Sequence, residues 1–168
     1  TKAALKLAVD NCLNAVPSGE KCCSEGGADC GPAGLADMPN WDVSQVTDMR
    51  ELFHSRYSFN QDIGDWDVSK VTDMSHMFGR AKAFNQDISR WKVSSVTGTW
   101  YMFSDAESFE QDITSWTLGS GAAVGNMFAG ATAWTAAFVN CGLDDSDTSS
   151  SALSVSSVGS VMSLLSVS

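Results

Sequence analysis

The chain has 168 residues, of which 43% are hydrophobic and 18% are charged, so its composition predicts a folded domain with a core and excludes a disordered protein. Its formal net charge of −10 would repel nucleic acid phosphates and anionic lipid headgroups, which excludes both as expected partners, and would attract divalent cations or a basic protein. No apolar run reaches about 18 residues, so the sequence predicts no membrane-spanning helix.

The first predicted element is a helix within residues 1–16. In KAALKLAVDNCLNAV the apolar residues fall at helical spacing and form one apolar face: Leu5, Ala8, Val9, Cys12, Leu13 and Val16. The run Pro17-Ser18-Gly19 is expected to end the helix. Because the chain begins with Thr1 rather than with methionine, we expect it to be a processed product or a fragment of a longer protein.

Four of the five cysteines are crowded near the N-terminus, at Cys12, Cys22, Cys23 and Cys30. Adjacent cysteines rarely bond to each other because the ring that they would close is strained. Two pairings stay open: Cys12–Cys22 with Cys23–Cys30, or Cys12–Cys23 with Cys22–Cys30. Zinc is the alternative, but its ligands usually occur as closely spaced C-x(2–4)-C pairs, so the wider gaps favour disulfides.

Disulfides imply an oxidising compartment, either outside the cell, in the secretory route or in an organelle lumen. Residues 1–40 are therefore predicted to form an N-terminal cap made of a helix and a Cys-rich, cross-linked loop. Cys141 is left over, either buried and free or paired with another chain.

Residues 41–140 repeat with a period of 25. Four apolar offsets keep this step: Trp41, Trp66, Trp91 and Trp116; Phe53, Phe78, Phe103 and Phe128; Phe59, Phe84, Phe109 and Trp134; Ile63, Ile88, Ile113 and Phe138. A fixed period of this length predicts a repeat solenoid of α/β class, in which each coil buries its apolar side against the next coil. The tryptophan and phenylalanine rows are therefore predicted to be the core of about four coils.

Each coil is predicted to contain short parallel strands and a short helical turn. FNQDISRW and VTDM are expected to be extended and to pair with the next coil in narrow parallel sheets, whereas SHMFGRA is expected to form a helical or 3₁₀ turn. The fourth coil is degenerate, because Thr135, Ala136 and Ala137 replace its Asn-Gln-Asp triplet. Terminal units of solenoids are atypical because they close the open end, so this coil is predicted to be the C-terminal cap.

Residues 141–168 form a serine-rich tail with no charged residue after Asp147. Its few apolar residues fall at helical spacing: Val158, Val161, Met162 and Leu165. The composition fits a flexible linker, and the apolar stripe fits a strap docked on the repeat or a strip that lies against a partner.

Candidate chemistry is sparse. His54 and His76 lie at different offsets from their tryptophans, so they are not expected to share a ladder, and surface positions are predicted for both. No nucleophile–base pattern and no metal-ligand spacing includes either histidine, so no enzyme is predicted.

Asp62, Asp87 and Asp112 recur at one offset of the repeat. Stacked coils would bring such residues within roughly 5 Å of one another, where like charges repel unless hydrogen bonds or a cation offset them. Capping of local backbone N–H groups is the favoured interpretation, because the side chains of the Asn-Gln-Asp triplet can form hydrogen bonds with backbone groups of the turn. Calcium, which prefers hard oxygen ligands, is the alternative and the one cofactor considered.

The periodic aromatic rows are also candidates for a sugar-stacking platform. Their strict period favours a core instead, because repeated apolar offsets are usually buried.

The frame W-D-V-S-x-V-T-D-M-x-x-M-F-x-x-A-x-x-F-N-Q-D-I resembles that of the BspA-like leucine-rich-repeat surface proteins. The likeness is close over residues 41–49, 59–83 and 84–88, and it fades through the fourth coil. The segment ALKLAVDNCL also resembles the one that leads into such arrays in microalgal relatives. The resemblance implies a leucine-rich-repeat-type solenoid that is usually exported and adheres to other proteins or to surfaces, and it implies no catalytic residues.

Three departures from that frame lie in the third coil. Lys92 replaces the aspartate after tryptophan, and Gly98 and Thr99 replace the Asp-Met of VTDM. This coil therefore breaks any continuous acidic ladder.

The predicted function is that of a non-enzymatic scaffold, exported to the cell surface or to an organelle lumen, which binds a protein partner or adheres through one solenoid face. The alternative is an accessory structural subunit on the lumenal or outer side of a membrane protein supercomplex, for example an algal photosynthetic complex. That alternative is based on the neutral tail, the missing start methionine and the microalgal resemblance.

Overall fold

A computed structural model describes residues 1–138 of the chain. Its elements are helix α1 (Lys2–Ala15), two short 3₁₀ helices (Gly31–Ala33 and Met38–Asn40) and helix α2 (Thr132–Phe138). Neither α1 nor α2 is long and apolar enough to cross a membrane, and the same holds for the rest of residues 1–138. The predictions made for Cys141 and for the tail, residues 141–168, lie outside the described residues.

Helix α1 forms where its apolar spacing predicts it. The Thr1 hydroxyl accepts a hydrogen bond from the backbone N–H of Ala4 and so caps the first turn, at 3.4 Å. The helix ends at Ala15, because the next residue, Val16, is extended and Pro17 cannot continue the helical hydrogen bonding. The predicted apolar face is buried at Leu5, Ala8, Val9, Cys12 and Leu13.

The disulfides of the cap are Cys12–Cys22 and Cys23–Cys30, which is one of the two pairings that the spacing leaves open. All four cysteines are at most 1% exposed. Their loops are short, with sequence separations of 10 and 7. Constraining the unfolded chain in this way stabilises the fold by about 2.5 kcal/mol for each bond.

Polar contacts hold α1 against the first repeat unit. Lys2 Nζ lies 2.8 Å from Asp48 Oδ1, and the Arg56 guanidinium donates both to Asp10 and, at 3.1 Å, to Asn14 Oδ1. Helix α1 therefore closes the N-terminal side of the repeat.

The repeat consists of four units that begin at the periodic tryptophans: unit 1 (41–65), unit 2 (66–90), unit 3 (91–115) and unit 4 (116–138). Residues 25 apart are joined by isolated parallel bridges: Asp48–Asp73, Asp73–Gly98 and Gly98–Ala123. Within residues 1–138 there is no strand: the bridges lie in the VTDM segment and its equivalents, and the FNQDISRW segment, also predicted to pair with the next coil, has none.

The backbone hydrogen bonds explain why bridges replace strands. In unit 1 alternate amides donate to unit 2, as Glu51 N does to Ser75 O at 3.0 Å and Phe53 N to Met77 O at 2.9 Å. The intervening amides close local turns instead, as His54 N does to Glu51 O at 3.2 Å. Because the intervening amides close turns, the backbone there is not extended, and the units are joined without a continuous strand ladder.

Two left-handed positions recur in each of these turns. The first has φ between 53° and 60° at Glu51, His76, Tyr101 and Asn126; the second has φ between 54° and 73° at Ser55, Arg80, Asp105 and Gly130. A left-handed backbone costs a residue with a β-carbon roughly 1–2 kcal/mol, so the turns are held by their neighbours rather than by local preference. This geometry takes the place of the helical turn that the sequence predicts.

Phenylalanine rings fill the core and stack from one unit to the next. The ring centroids are 5.6 Å apart for Phe53 and Phe78, 5.4 Å for Phe78 and Phe103, and 5.5 Å for Phe103 and Phe128, with nearly parallel planes. A second row, Phe59, Phe84 and Phe109, stacks in the same way and lies beside the first row. Phe128 is half-buried, because within residues 1–138 no full unit follows it, and Trp134 of α2 stacks on it at 3.6 Å.

The periodic tryptophans are buried, and their indole N–H groups set the register between units. Trp66, Trp91 and Trp116 each donate to a carbonyl 28 residues earlier: Met38 O at 2.9 Å, Ile63 O at 3.1 Å and Ile88 O at 3.3 Å. Trp91 and Trp116 also stack on each other, with centroids 6.2 Å apart. A shift of one residue would break these bonds and leave buried donors without partners.

Candidate binding face

The three recurrent aspartates each cap their own turn. Oδ1 of Asp62 accepts from Gly64 N at 2.9 Å, Oδ1 of Asp87 from Ser89 N at 2.9 Å, and Oδ1 of Asp112 from Thr114 N at 3.0 Å. Hydrogen bonds from Ser89 and Thr114 lower the pKa of Asp87 and of Asp112 below the usual aspartate value. This geometry is the one that the capping interpretation describes.

Carboxylates do not converge to form a calcium site in residues 1–138. The one group of three close ligand atoms there belongs to Cys12, Cys22 and Cys23, whose sulfurs are engaged in disulfide bonds. The structure therefore does not bring Asp62, Asp87 and Asp112 together around a common point.

The Asn-Gln pairs before these aspartates join one unit to the next. Asn60 Oδ1 accepts from Asn85 N at 2.8 Å, and Asn85 Oδ1 accepts from Glu110 N at 3.0 Å. Gln86 Nε2 donates to Asn60 O at 3.0 Å, and Gln111 repeats that contact one unit later. The polar groups of this edge are thus engaged in holding the units together.

The periodic aromatic rows offer no platform to a ligand, because they are inside the protein. The exposed fraction is 6% at Trp41, 4% at Trp66 and Trp91, and 1% at Trp116. Phe53, Phe78 and Phe103 are fully buried.

A different set of aromatic side chains lies on the outer turns, and we name it the aromatic strip: His54, His76, Trp100 and Tyr101. The ring centroids are 5.9 Å apart for His54 and His76, 5.2 Å for His76 and Tyr101, and 6.4 Å for Trp100 and Tyr101. The His76 and Tyr101 rings are nearly parallel, at 10°, and the two histidines meet edge to face. The strip therefore runs across three successive units.

The two histidines lie at different repeat offsets, yet their rings are in contact. The equivalent of His54 in unit 2 is Gly79, where a β-carbon would come within 2.9 Å of His54 Cδ2. Because Gly79 has no side chain, His54 can lean over the next unit and reach the ring of His76. Both histidines lie at the surface, His54 exposed and His76 half-buried.

Trp100 is the most exposed tryptophan in the chain, with 50% of its surface accessible. The equivalent residue in unit 4 is Gly125, where an added β-carbon would lie 3.8–3.9 Å from the indole carbons. The indole therefore lies against the Gly125 backbone and turns part of its surface to solvent.

Tyr101 is held in place from both sides. Its ring stacks on His76, and its hydroxyl oxygen accepts a hydrogen bond from Asn126 Nδ2 at 2.9 Å. Its backbone is left-handed, with φ of 53°, like that of its equivalents His76 and Asn126. These constraints fix the position of the ring.

Two pairs of opposite charges lie next to the strip. Arg50 lies 2.7 Å from Asp73, and Arg80 lies 3.7 Å from Asp105. Burial raises the pKa of Asp73, but hydrogen bonds from Ser75 and Arg50 outweigh it and leave that pKa below the usual value. The flanks of the strip therefore carry little uncompensated charge from these four residues.

Partial burial lowers the pKa of His54 below the ordinary histidine value, and the neighbouring His76 and Arg80 lower it further, while Glu51 acts in the opposite direction. The neutral imidazole is therefore favoured at His54 near neutral pH.

Trp100 and Tyr101 cannot be found from the period of 25, because neither has a tryptophan, tyrosine or phenylalanine 25 residues away. Their signal is a departure from the repeat: unit 3 reads VTGTWYMF where unit 2 reads VTDMSHMF. A tryptophan placed off the 25-residue step has no core row to join, and this is what marks it as a surface residue.

The family model described as "Mycoplasma protein of unknown function, DUF285" matches residues 28–140, which is more than half of the chain and includes every repeat unit. The match is consistent with the resemblance to a BspA-like repeat family. No curated protein and no solved structure matches the chain.

Proposed function

We propose that this chain, which belongs to the DUF285 family, is a non-enzymatic binding scaffold that presents its aromatic strip to another macromolecule. One observation carries the proposal: Trp100 is half exposed, whereas the other five tryptophans are each at most 6% exposed. An exposed tryptophan contributes little to the stability of the fold. At interfaces, however, tryptophan and tyrosine are among the residues that most often dominate the binding energy.

The rigidity of the strip supports the same proposal. Binding is weakened by the entropy of ordering side chains, at about 0.5–1.5 kcal/mol for each one that must be immobilised. Trp100 already lies against Gly125, and Tyr101 is already fixed by His76 and Asn126. A partner would therefore meet a surface that needs little further ordering.

The scaffold itself is proposed to be a leucine-rich-repeat-type solenoid of the BspA-like kind. Stacked phenylalanine rows, parallel bridges at a 25-residue step and the family match support this assignment. The two disulfides support export or a lumenal location, because such bonds persist in oxidising compartments.

The accessory-subunit alternative is based on the missing start methionine, on the microalgal resemblance and on the tail, residues 141–168, which lies outside the described residues. The binding scaffold is therefore the function that the described residues support better.

An adhesion assay tests the proposal. Beads coated with the full chain are mixed with fixed cells and isolated membranes of the source organism, and the retained beads are counted. We expect the double variant Trp100→Ala/Tyr101→Ala to lower binding about fivefold, the effect of about 1 kcal/mol.

The matched control is Tyr57→Ala, which removes another exposed aromatic side chain, 52% accessible, that is not part of the strip. Retention of the control with loss of the double variant supports the proposal. Equal retention of all three proteins, or retention of none, contradicts it.

A further inference from the structure

We propose that the ligand of the aromatic strip is a neutral polysaccharide chain, one sugar ring of which lies on Trp100 and borders Tyr101. This inference rests on the proposed function, because it names the chemical class of the macromolecule that the same face binds.

The shape of the strip suits a sugar ring. A pyranose presents C–H groups on its faces, which pack against aromatic rings, and hydroxyl groups around its edge, which need polar neighbours. The indole of Trp100 lies flat on Gly125, since three of its carbons are almost equally far, at 3.8–3.9 Å, from the point that a β-carbon on Gly125 would occupy. Its exposed half is therefore available as a stacking surface.

Polar groups lie beside the rings where the hydroxyls would be. The Asn126 amide reaches the Tyr101 hydroxyl at 2.9 Å, and Ser55 Oγ lies 3.2 Å from His54 Nδ1. Tyr101, Asn126 and His76 are half-buried, so each keeps some surface in contact with solvent. Amide, imidazole and phenol groups can all exchange hydrogen bonds with hydroxyls.

The charge pattern favours a neutral ligand over a charged one. The net charge of −10 disfavours an anionic polysaccharide. A basic peptide would need several free carboxylates at the strip, but Asp73 is paired with Arg50 and Asp105 with Arg80, which leaves Glu51 beside His54. A ligand rich in hydroxyls and without charge avoids both difficulties.

The length of the strip favours a chain over a single sugar. Neighbouring rings are separated by 5.2–6.4 Å and come from three successive units. An extended oligosaccharide that follows the axis of the repeat can contact several of them at once, which adds their contributions.

The test is calorimetric titration of the full chain with neutral hexasaccharides, namely cellohexaose, laminarihexaose, xylohexaose, mannohexaose and chitohexaose, and with anionic oligogalacturonate as a charged probe. Acrylamide quenching of tryptophan fluorescence is measured in parallel, because Trp100 is far more exposed than the other five tryptophans. We expect at least one neutral probe to bind and to protect fluorescence from quenching. Trp100→Ala should weaken that binding about tenfold, which corresponds to about 1.4 kcal/mol.

Tyr57→Ala is the control and should bind like the unmodified chain. If circular dichroism shows that Trp100→Ala is unfolded, two other variants replace it. Trp100→Phe keeps a smaller stacking surface, and Asn126→Gly removes a polar neighbour while keeping the left-handed backbone; each should weaken binding. Binding that no strip variant changes overturns the inference, and so does binding of oligogalacturonate alone or of no probe.

The adhesion assay separates this inference from the proposed function. If no neutral probe binds but beads still lose retention with the double strip variant, the scaffold function stands and the polysaccharide inference is overturned. If neither the probes nor the cells are bound, both are overturned.

Discussion

The side-chain amide of Asn126 donates a hydrogen bond to the hydroxyl oxygen of Tyr101 at 2.9 Å, and so ties unit 4 to the aromatic strip of unit 3. Asn126 also has a left-handed backbone, with φ of 55°. One residue therefore supplies both a turn and a contact, and substitutions can separate the two roles.

Asn126→Gly keeps the left-handed backbone and removes the hydrogen bond, so we expect a loss of about 1 kcal/mol in the free energy of unfolding. Asn126→Ala also removes the bond but leaves a β-carbon in the left-handed region, which alanine tolerates less well than asparagine or glycine, so it should cost about 1 kcal/mol more than Asn126→Gly. Urea unfolding of the two variants measures the difference. Equal stability of the two would contradict the account of this turn.

The stability of the protein should fall between neutral and mildly acidic pH because of His54. Its folded pKa lies below the value of about 6.5 in the unfolded chain, so the unfolded state binds more protons between the two values. The stability contributed is fully present above about pH 6.5 and is lost as pH falls through the folded pKa.

Thermal melting at about pH 7.5 and about pH 5 measures this effect, and His54→Gln should reduce the difference between the two melting temperatures. The groups that face His54 are His76, Glu51 and Arg80, so Arg80→Gln should also reduce the shift by removing a positive neighbour. Asp87 and Asp112 have pKa values lowered from 3.8 and so titrate below this window. An unchanged pH dependence in His54→Gln would rule out this assignment.

Removal of the Cys12–Cys22 disulfide in the double variant Cys12→Ser/Cys22→Ser should lower the free energy of unfolding by about 2.5 kcal/mol, because the unfolded chain gains freedom. The matched variant Cys23→Ser/Cys30→Ser removes the bond that closes a loop of similar length and should lower the free energy of unfolding by a similar amount. Urea unfolding gives both values. Peptide mapping of the unreduced protein checks the connectivity, and a Cys12–Cys23 bond would contradict it.

Phe78 contacts rings in both neighbouring units, with centroids 5.6 Å from Phe53 and 5.4 Å from Phe103. Phe78→Ala opens a cavity at that junction and should lower the free energy of unfolding by about 3–5 kcal/mol. Tyr57→Ala is the surface control and should change it by no more than about 0.5 kcal/mol. Similar losses in the two variants would mean that the phenylalanine row is not the core of the repeat.

The period of 25 predicts which residues lie inside, because apolar side chains at fixed offsets must be buried wherever units stack. Helix α1 is predicted for a similar reason, since its buried face follows helical spacing. The conformation of the turns could not be predicted in this way. Left-handed backbones at Glu51, His76 and Tyr101 arise from hydrogen bonds to the next unit, and no local propensity favours them.

The disulfide pairing and the aromatic strip also lie beyond sequence reasoning, for two different reasons. Cys22 and Cys23 are adjacent, so spacing alone leaves either one free to pair with Cys12. The contact between His54 and His76 depends on the absence of a side chain at Gly79, and comparing residues 25 apart in the sequence does not reveal that contact.

The indole hydrogen bonds that reach back 28 residues bear on how such a chain can change in length. Each unit offers the next one an equivalent acceptor carbonyl and an equivalent phenylalanine ring surface. A duplicated unit would therefore fit against both of its neighbours through the contacts that already exist. Loss or gain of one or two residues inside a unit would instead displace an indole from its acceptor. Lineages of this protein should therefore lengthen or shorten in whole steps, with the two ends conserved and the number of middle copies free to vary.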